Sequence, residues 1–195
     1  MYNLGKKGRG IRYGQQGKLK NQVPIPKEVI SMESQLTAYV TLVCISGILN
    51  LYLGLNVFIK RPHYKSIAAF FIVYTCFISI YCFASAFGLM ATTLEQVKWW
   101  TVIQYIGMPF APPLGLLFIM KYLGMKLTKK RIFALLLIPV ISLVMVATNE
   151  YHHLHYRSMT IAPIMGPPYV RQEIGVWYMI HGIYTFSCMF AALIM

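Results

Sequence analysis

The chain has no aspartate, and its 195 residues include only five acids: Glu28, Glu33, Glu95, Glu150 and Glu173. Charged residues of both signs make up 12% of it, about half the share found in an ordinary soluble domain. That excludes a normal solvated surface. Cysteine is scarce as well. Cys44, Cys76, Cys82 and Cys188 all fall in apolar stretches and none forms a C-x-x-C pair. They provide no disulfide framework and read as small buried hydrophobes. The patterns G-x-x-x-x-G-K-[ST], G-x-S-x-G and H-E-x-x-H are absent, which removes the phosphate-loop, nucleophile-elbow and zincin classes. The fifth apolar stretch has no lysine to carry a Schiff base. No cofactor is expected.

What remains is 57% hydrophobic, with a mean hydropathy of +0.58. Five stretches can cross hydrocarbon, which takes about 20 residues: Leu36–Ile59, Ile67–Met90, Trp99–Met120, Ile132–Thr148 and Val176–Met195. Within a bilayer each segment must satisfy its own backbone, so these are expected to be helices. No alternation of the barrel type occurs. The expected fold class is all-α, a polytopic membrane helical bundle with the bilayer as its first partner.

The net charge of +13 does not call for nucleic acid, because the basic residues sit in short runs between spans. KRPHYKS and KYLGMKLTKKR carry three and five basic residues and no acid. Such loops stay cytoplasmic. The N-terminus is then expected outside the cell membrane, and the fifth span should end at the cytoplasmic face. Residues 1–31 oppose this, with seven basic residues against Glu28. They are expected to be a disordered basic tail, or to precede a true start at Met32, leaving residues 32–195 as the membrane domain.

Three of the five histidines cluster in TNEYHHLHY, residues 148–156. His152 and His155 are spaced to share a helix face, with Glu150 as a third ligand, but that set falls short of a zinc site. Five histidines also fall short of the several boxes of a di-iron enzyme. No metal is expected; an interfacial loop, with pH sensing as the functional variant, fits these residues best. The third span contains Pro109, Pro112 and Pro113, each lacking a backbone donor, so a kink or local unwinding is expected there. Gly107 and Gly115 permit close helix approach, and Gln104 should find a partner across the bundle. Asn50 reads as a helix–helix hydrogen bond, and His181 as an intramembrane polar group in reach of the histidine loop. Trp99, Trp100, Trp177 and Tyr178 read as interfacial anchors. Arg157–Ile161 and Tyr169–Ile174 flank the turn-forming IMGPP, so a small extracellular hairpin is expected between the fourth and fifth helices.

LNLYLGLNVFIKRP, WWTVIQYIGMPFAPPLGLLFIMKYLG and TNEYHHLHY, in this order, resemble the N-terminal seven-helix sensor region of bacterial histidine kinases, which also precedes diguanylate cyclase domains. The resemblance covers residues 32–195. It implies that Thr148, Asn149, His152 and His153 match a recurring loop element, and Gln104, Tyr105, Gly107, Pro112 and Pro113 a third-helix element. Gln104, Tyr105, Asn149, His152, His153 and His181 are the candidate sensing or ligand-binding residues. Gly107, Pro109, Pro112 and Pro113 are the candidate hinge. The expectation is a membrane sensory input for a two-component kinase, five helices of an incomplete seven-helix bundle, without catalysis of its own. A homodimer or a separately encoded transmitter, and an unidentified small ligand, are the expected partners. A small transporter or channel subunit, or an inactive gene fragment, are the competing readings.

Overall fold

The computed structural model describes residues 27–60, 65–162 and 169–195. Seven helices and one hairpin follow in chain order: α1 Lys27–Lys60, α2 Lys65–Leu89, α3 Leu94–Gly107, α4 Ala111–Tyr122, α5 Lys129–Ala147, α6 Asn149–His152, β1 Tyr156–Ala162, β2 Tyr169–Ile174 and α7 Val176–Ile194. Five helical segments among the described residues are long and apolar enough to cross a membrane, with α3 and α4 together forming the third. The all-α bundle read from hydropathy is therefore the observed architecture.

Its interior mixes leucines such as Leu114, Leu116 and Leu117 with small and polar side chains, while many large apolar residues face outward. The buried side chains include Thr75, Ser79, Ser142, Ala68, Ala84 and Ala86, whereas Leu42, Ile59, Phe133, Ile183, Phe186 and Leu193 are exposed. In lipid, apolar side chains gain nothing by hiding, and helices approach through small residues and interhelical hydrogen bonds. Ser79 on α2 makes such a contact, sharing its hydroxyl hydrogen between the Thr75 carbonyl of its own helix at 2.8 Å and the Gly47 carbonyl of α1 at 3.1 Å. Asn50 does not: it donates to Ser46 within its own helix, because the α1–α2 seam is closed by Gly47 and Ser79 instead. The third span is central, with 39% of its apolar window buried against 11% for the first and fifth.

Helix boundaries depart from the hydropathy limits where caps decide them. The helix of the third span begins at Leu94, five residues before Trp99. Thr93 accepts the Gln96 N–H at 3.2 Å, and Gln96 in turn accepts the Thr92 N–H at 3.0 Å. This resembles a capping box of the T-x-x-Q kind, with the returning bond made to the residue before the N-cap. Thr128 likewise starts α5 three residues before Ile132 by accepting from Arg131. α1 begins at Lys27, so Lys27–Ser31 belong to a helix rather than to a tail. Residues 1–26, His63 and the IMGPP turn lie outside the described residues.

Two proline devices shape the middle of the bundle. The third span breaks at residues 108–110. Pro109 sits in the break, and Pro112 and Pro113 lie in the first turn of α4, where backbone donors lack helical partners in any case. α5 instead runs through Pro139 without interruption. Pro139 cannot donate to the carbonyl one turn back, which is that of Leu135. The Tyr184 hydroxyl of α7 donates to that carbonyl at 2.5 Å, so the freed acceptor also joins α5 to α7.

The hairpin is antiparallel, pairing Ser158 with Glu173 and Thr160 with Arg171, with an irregularity beside Arg157. It matches the two predicted β runs and covers one end of the bundle, where β1 contacts α3.

Candidate functional site

At the hairpin end, Asn149 turns the chain back onto the helices. Its Oδ1 accepts the N–H groups of His155 and Tyr156, both at 3.0 Å, and its Nδ2 donates to the Tyr156 carbonyl at 2.9 Å. One side chain thus substitutes for missing secondary structure. His153 caps α6 in the left-handed region, φ 52°, a conformation that histidine tolerates better than most residues. His152 is held by both ring nitrogens. Thr148 donates to Val144, so it accepts from His152 Nε2, while Nδ1 accepts the Leu154 N–H at 3.0 Å. The network therefore assigns His152 as the neutral Nε2–H tautomer.

The product of this local folding is a buried aromatic and histidine cluster. His155 is fully buried and Tyr105 is 1% exposed. His155 Nε2 lies 2.7 Å from the Tyr105 hydroxyl, which is 3.3 Å from the Tyr156 hydroxyl. The imidazole stands edge-on to Tyr105, Tyr156 and Tyr178 at centroid distances of 4.8, 4.7 and 5.5 Å. His181 of α7 lies 5.9 Å from the Tyr105 ring and shares a hydrogen bond with Ser142 of α5. Ser142 also accepts the Trp177 indole N–H at 3.1 Å. Three spans and the hairpin meet here. Close approach at the seam is needed too: Gly175 donates to the His155 carbonyl, and a Cβ on Gly175 would overlap the Leu154 carbonyl.

The sequence-derived candidates fall into three groups. Tyr105 and His181 come together in the cluster, and Asn149 holds its hairpin side in place. His152 is occupied in shaping the loop, and His153 is exposed. Gln104 faces the other way, donating to the Ala84 carbonyl of α2 at 3.4 Å. The hinge residues lie at and beside the break, two residues beyond Tyr105. Sequence reasoning passed over His155 as a sensing residue and missed Ser142, Tyr156 and Tyr178. It read Trp177 and Tyr178 as interfacial anchors, but both turn inward, because the α7 start is drawn down onto Leu154 and His155. Trp99 is the exposed member of that set.

His155 Nδ1 is buried with no hydrogen-bond partner among the described residues. Burial holds its pKa down to about 4, with the nearby His181 and His152 acting in the same direction. Burial also pushes the Tyr156 hydroxyl up to about 12. The imidazole is thus neutral at physiological pH, and the unfolded chain takes up the proton first. Its contribution is complete above pH ~6.5 and is lost as pH falls towards 4, by at most about 3 kcal/mol. Thermal unfolding of the chain in micelles should hold level from about pH 8 to 6.5 and decline below it; a flat profile down to pH 4 would contradict the buried neutral imidazole. The exposed Lys98–Glu150 pair, at 2.7 Å, lowers the Glu150 pKa by its hydrogen bond and charge. Among the described residues, no three His, Cys, Asp or Glu side chains are grouped to hold a metal.

Comparison with known families matches residues 42–195 to the N-terminal 7TM region of histidine kinase. The chain belongs to this family. The 7TM region is a sensory input rather than a catalytic domain, and the chain is accordingly a multi-pass membrane protein. Neither the curated proteins nor the solved structures gave a match. The family's membrane scaffold is visible as five described spans, of which α2, α5 and α7 pack against the broken third one.

Proposed function

We propose that this chain is the signal-input part of a two-component sensor histidine kinase, with the hairpin end as the sensing end. The observation that carries this reading is the Tyr105–His155–Tyr156 network. It joins the hairpin to the third span two residues before the span's helical hydrogen bonding is interrupted. A signal that favours one packing of hairpin on network shifts the population of two arrangements of the break, and a transmitter reads the α4 side. Buried, incompletely satisfied polar networks of this kind have large energetic leverage.

The test of the kinase role is chemical. Membranes holding the native gene product are incubated with ATP and assayed for base-stable, acid-labile phosphohistidine. Label on this protein, or on one crosslinked to it, is the expected result; no such label would end the kinase reading.

The basic residues in and beside the loop Leu123–Thr128, Lys121, Lys126, Lys129, Lys130 and Arg131, support a cytoplasmic location for that end. The hairpin is then extracellular. A membrane-impermeant maleimide should label Thr160→Cys in intact cells and Lys126→Cys only after permeabilisation. The opposite pattern would invert the sensor.

A further inference from the structure

A cleft of about 450 Å³ opens beside the buried network, between α3, the α5–α6 corner and β1. Its volume falls in the range of small-molecule sites. Val102, Val146 and Met159 give it apolar walls, Trp99 and Tyr156 give it aromatic ones, and Glu95, Lys98 and Glu150 lie among its lining residues. Asn149 also reaches it; its Oδ1 is taken by two backbone N–H groups and its Nδ2 donates one hydrogen to the Tyr156 carbonyl.

The charge of the lining sets the class of ligand. Only five carboxylates exist in a chain of net charge +13, and two of them line this one cleft. Lys98 neutralises Glu150. Glu95 has no ion-pair partner among the described residues, so one negative charge is left over. Trp99 lines the cleft and is 65% exposed, presenting an indole surface that attracts cations. An anion would have to displace Glu150 from Lys98 and then face two carboxylates. A neutral ligand would leave Glu95 unused. We infer that this cleft binds an organic monocation, an alkylammonium group carried on an apolar body. The ammonium sits between Glu95 and the Trp99 ring, and the body lies against Val102, Val146 and Met159. The ammonium comes from a free amine or from a choline-type lipid headgroup; both present the same chemistry.

The inference rests on the sensing reading for its purpose: Tyr156 lines the cleft and its hydroxyl faces Tyr105, so an occupant touches the network directly. Its test does not depend on phosphorylation, so the two readings fail separately.

The full chain in uncharged maltoside micelles is titrated calorimetrically with benzyltrimethylammonium, and with benzoate and benzyl alcohol as anionic and neutral counterparts. Saturable binding of the cation alone is expected. Glu95→Gln and Trp99→Leu should each weaken it about tenfold, the loss of one desolvated contact. Both residues are on the surface, and an unchanged elution profile verifies folding. Displacement of the probe by added phosphatidylcholine assigns the headgroup source, and undisturbed binding the free amine. Equal or tighter binding of benzoate, cation binding indifferent to both substitutions, or no saturable binding up to ~10 mM would each overturn the inference, since even ~1 mM affinity is within reach of a few good contacts.

Discussion

Replacing Gly107 by alanine is expected to cost the folded bundle about 3 kcal/mol or more, at the upper end for overpacking by a single carbon. Gly107 ends α3 immediately before the break. A Cβ there would overlap the Phe77 carbonyl and come within 2.8 Å of Tyr81 N and 2.9 Å of Tyr81 Cβ. The first two of these are backbone atoms of α2 and cannot rotate away. The helices must part where the Phe77 ring packs on Phe110 at 5.1 Å. Intrinsic propensity acts the other way, since alanine is favoured over glycine in a helix by ~1 kcal/mol. Gly182 on α7 provides the control: a Cβ there meets nothing within 4 Å, so Gly182→Ala should be neutral or slightly stabilising. Thermal unfolding in micelles, followed by loss of the monodisperse elution peak, compares the two. A Gly107→Ala protein as stable as the Gly182→Ala one would mean that α2 and α3 do not touch at the break.

Removing the Asn149 side chain is the second large effect. Asn149→Ala strands two backbone N–H groups and one carbonyl, those of His155 and Tyr156. At ~1–3 kcal/mol for each polar group left short, and with water reaching part of the site, a loss of about 3 kcal/mol is expected. The damage should concentrate in residues 149–162, read as faster amide exchange there. Asn149→Asp keeps the oxygen that accepts both N–H groups but sets its second carboxylate oxygen against the Tyr156 carbonyl, so it should fall between alanine and wild type. Equal exchange in all three proteins would show that the loop holds its shape without Asn149.

Much of this fold could be read from composition and spacing because the bilayer leaves few choices. A run of uncharged apolar residues must close its own hydrogen bonds, so spans, break and hairpin follow from hydropathy, three prolines and two β-branched runs flanking Gly-Pro-Pro. Helix limits were less legible. Thr93 with Gln96, and Thr128, start their helices inside sequence that hydropathy alone assigns to loop, although the T-x-x-Q spacing was a usable signal. Pro139 resembles the other prolines in sequence, yet its helix continues because Tyr184, 45 positions later in the chain, fills the gap at Leu135.

The site was legible only in part. Tyr105, Asn149 and His181 could be picked out, as a loop and helix element or as a polar group inside a span. His155 could not be ranked above His152 and His153, since all three share one polar stretch. Their separate fates depend on Asn149 folding residues 155–156 onto α3, and on Gly175 letting α7 close over them. Both are long-range contacts that no local spacing encodes.

The central claim is that the hairpin end and the break in the third span are energetically linked through the buried network. Hydrogen exchange of the full chain in lipid nanodiscs, wild type against His155→Ala, tests it most directly. The substitution removes the closer of the Tyr105 hydroxyl's two hairpin-side partners, leaving only the Tyr156 hydroxyl at 3.3 Å, and leaves the third span's sequence untouched. Faster exchange is expected at residues 149–162 and also at Met108 and Phe110, whose N–H groups bond Gln104 and Gly107 across the break. Acceleration confined to residues 149–162 would contradict the link, and with it the path from hairpin to third span.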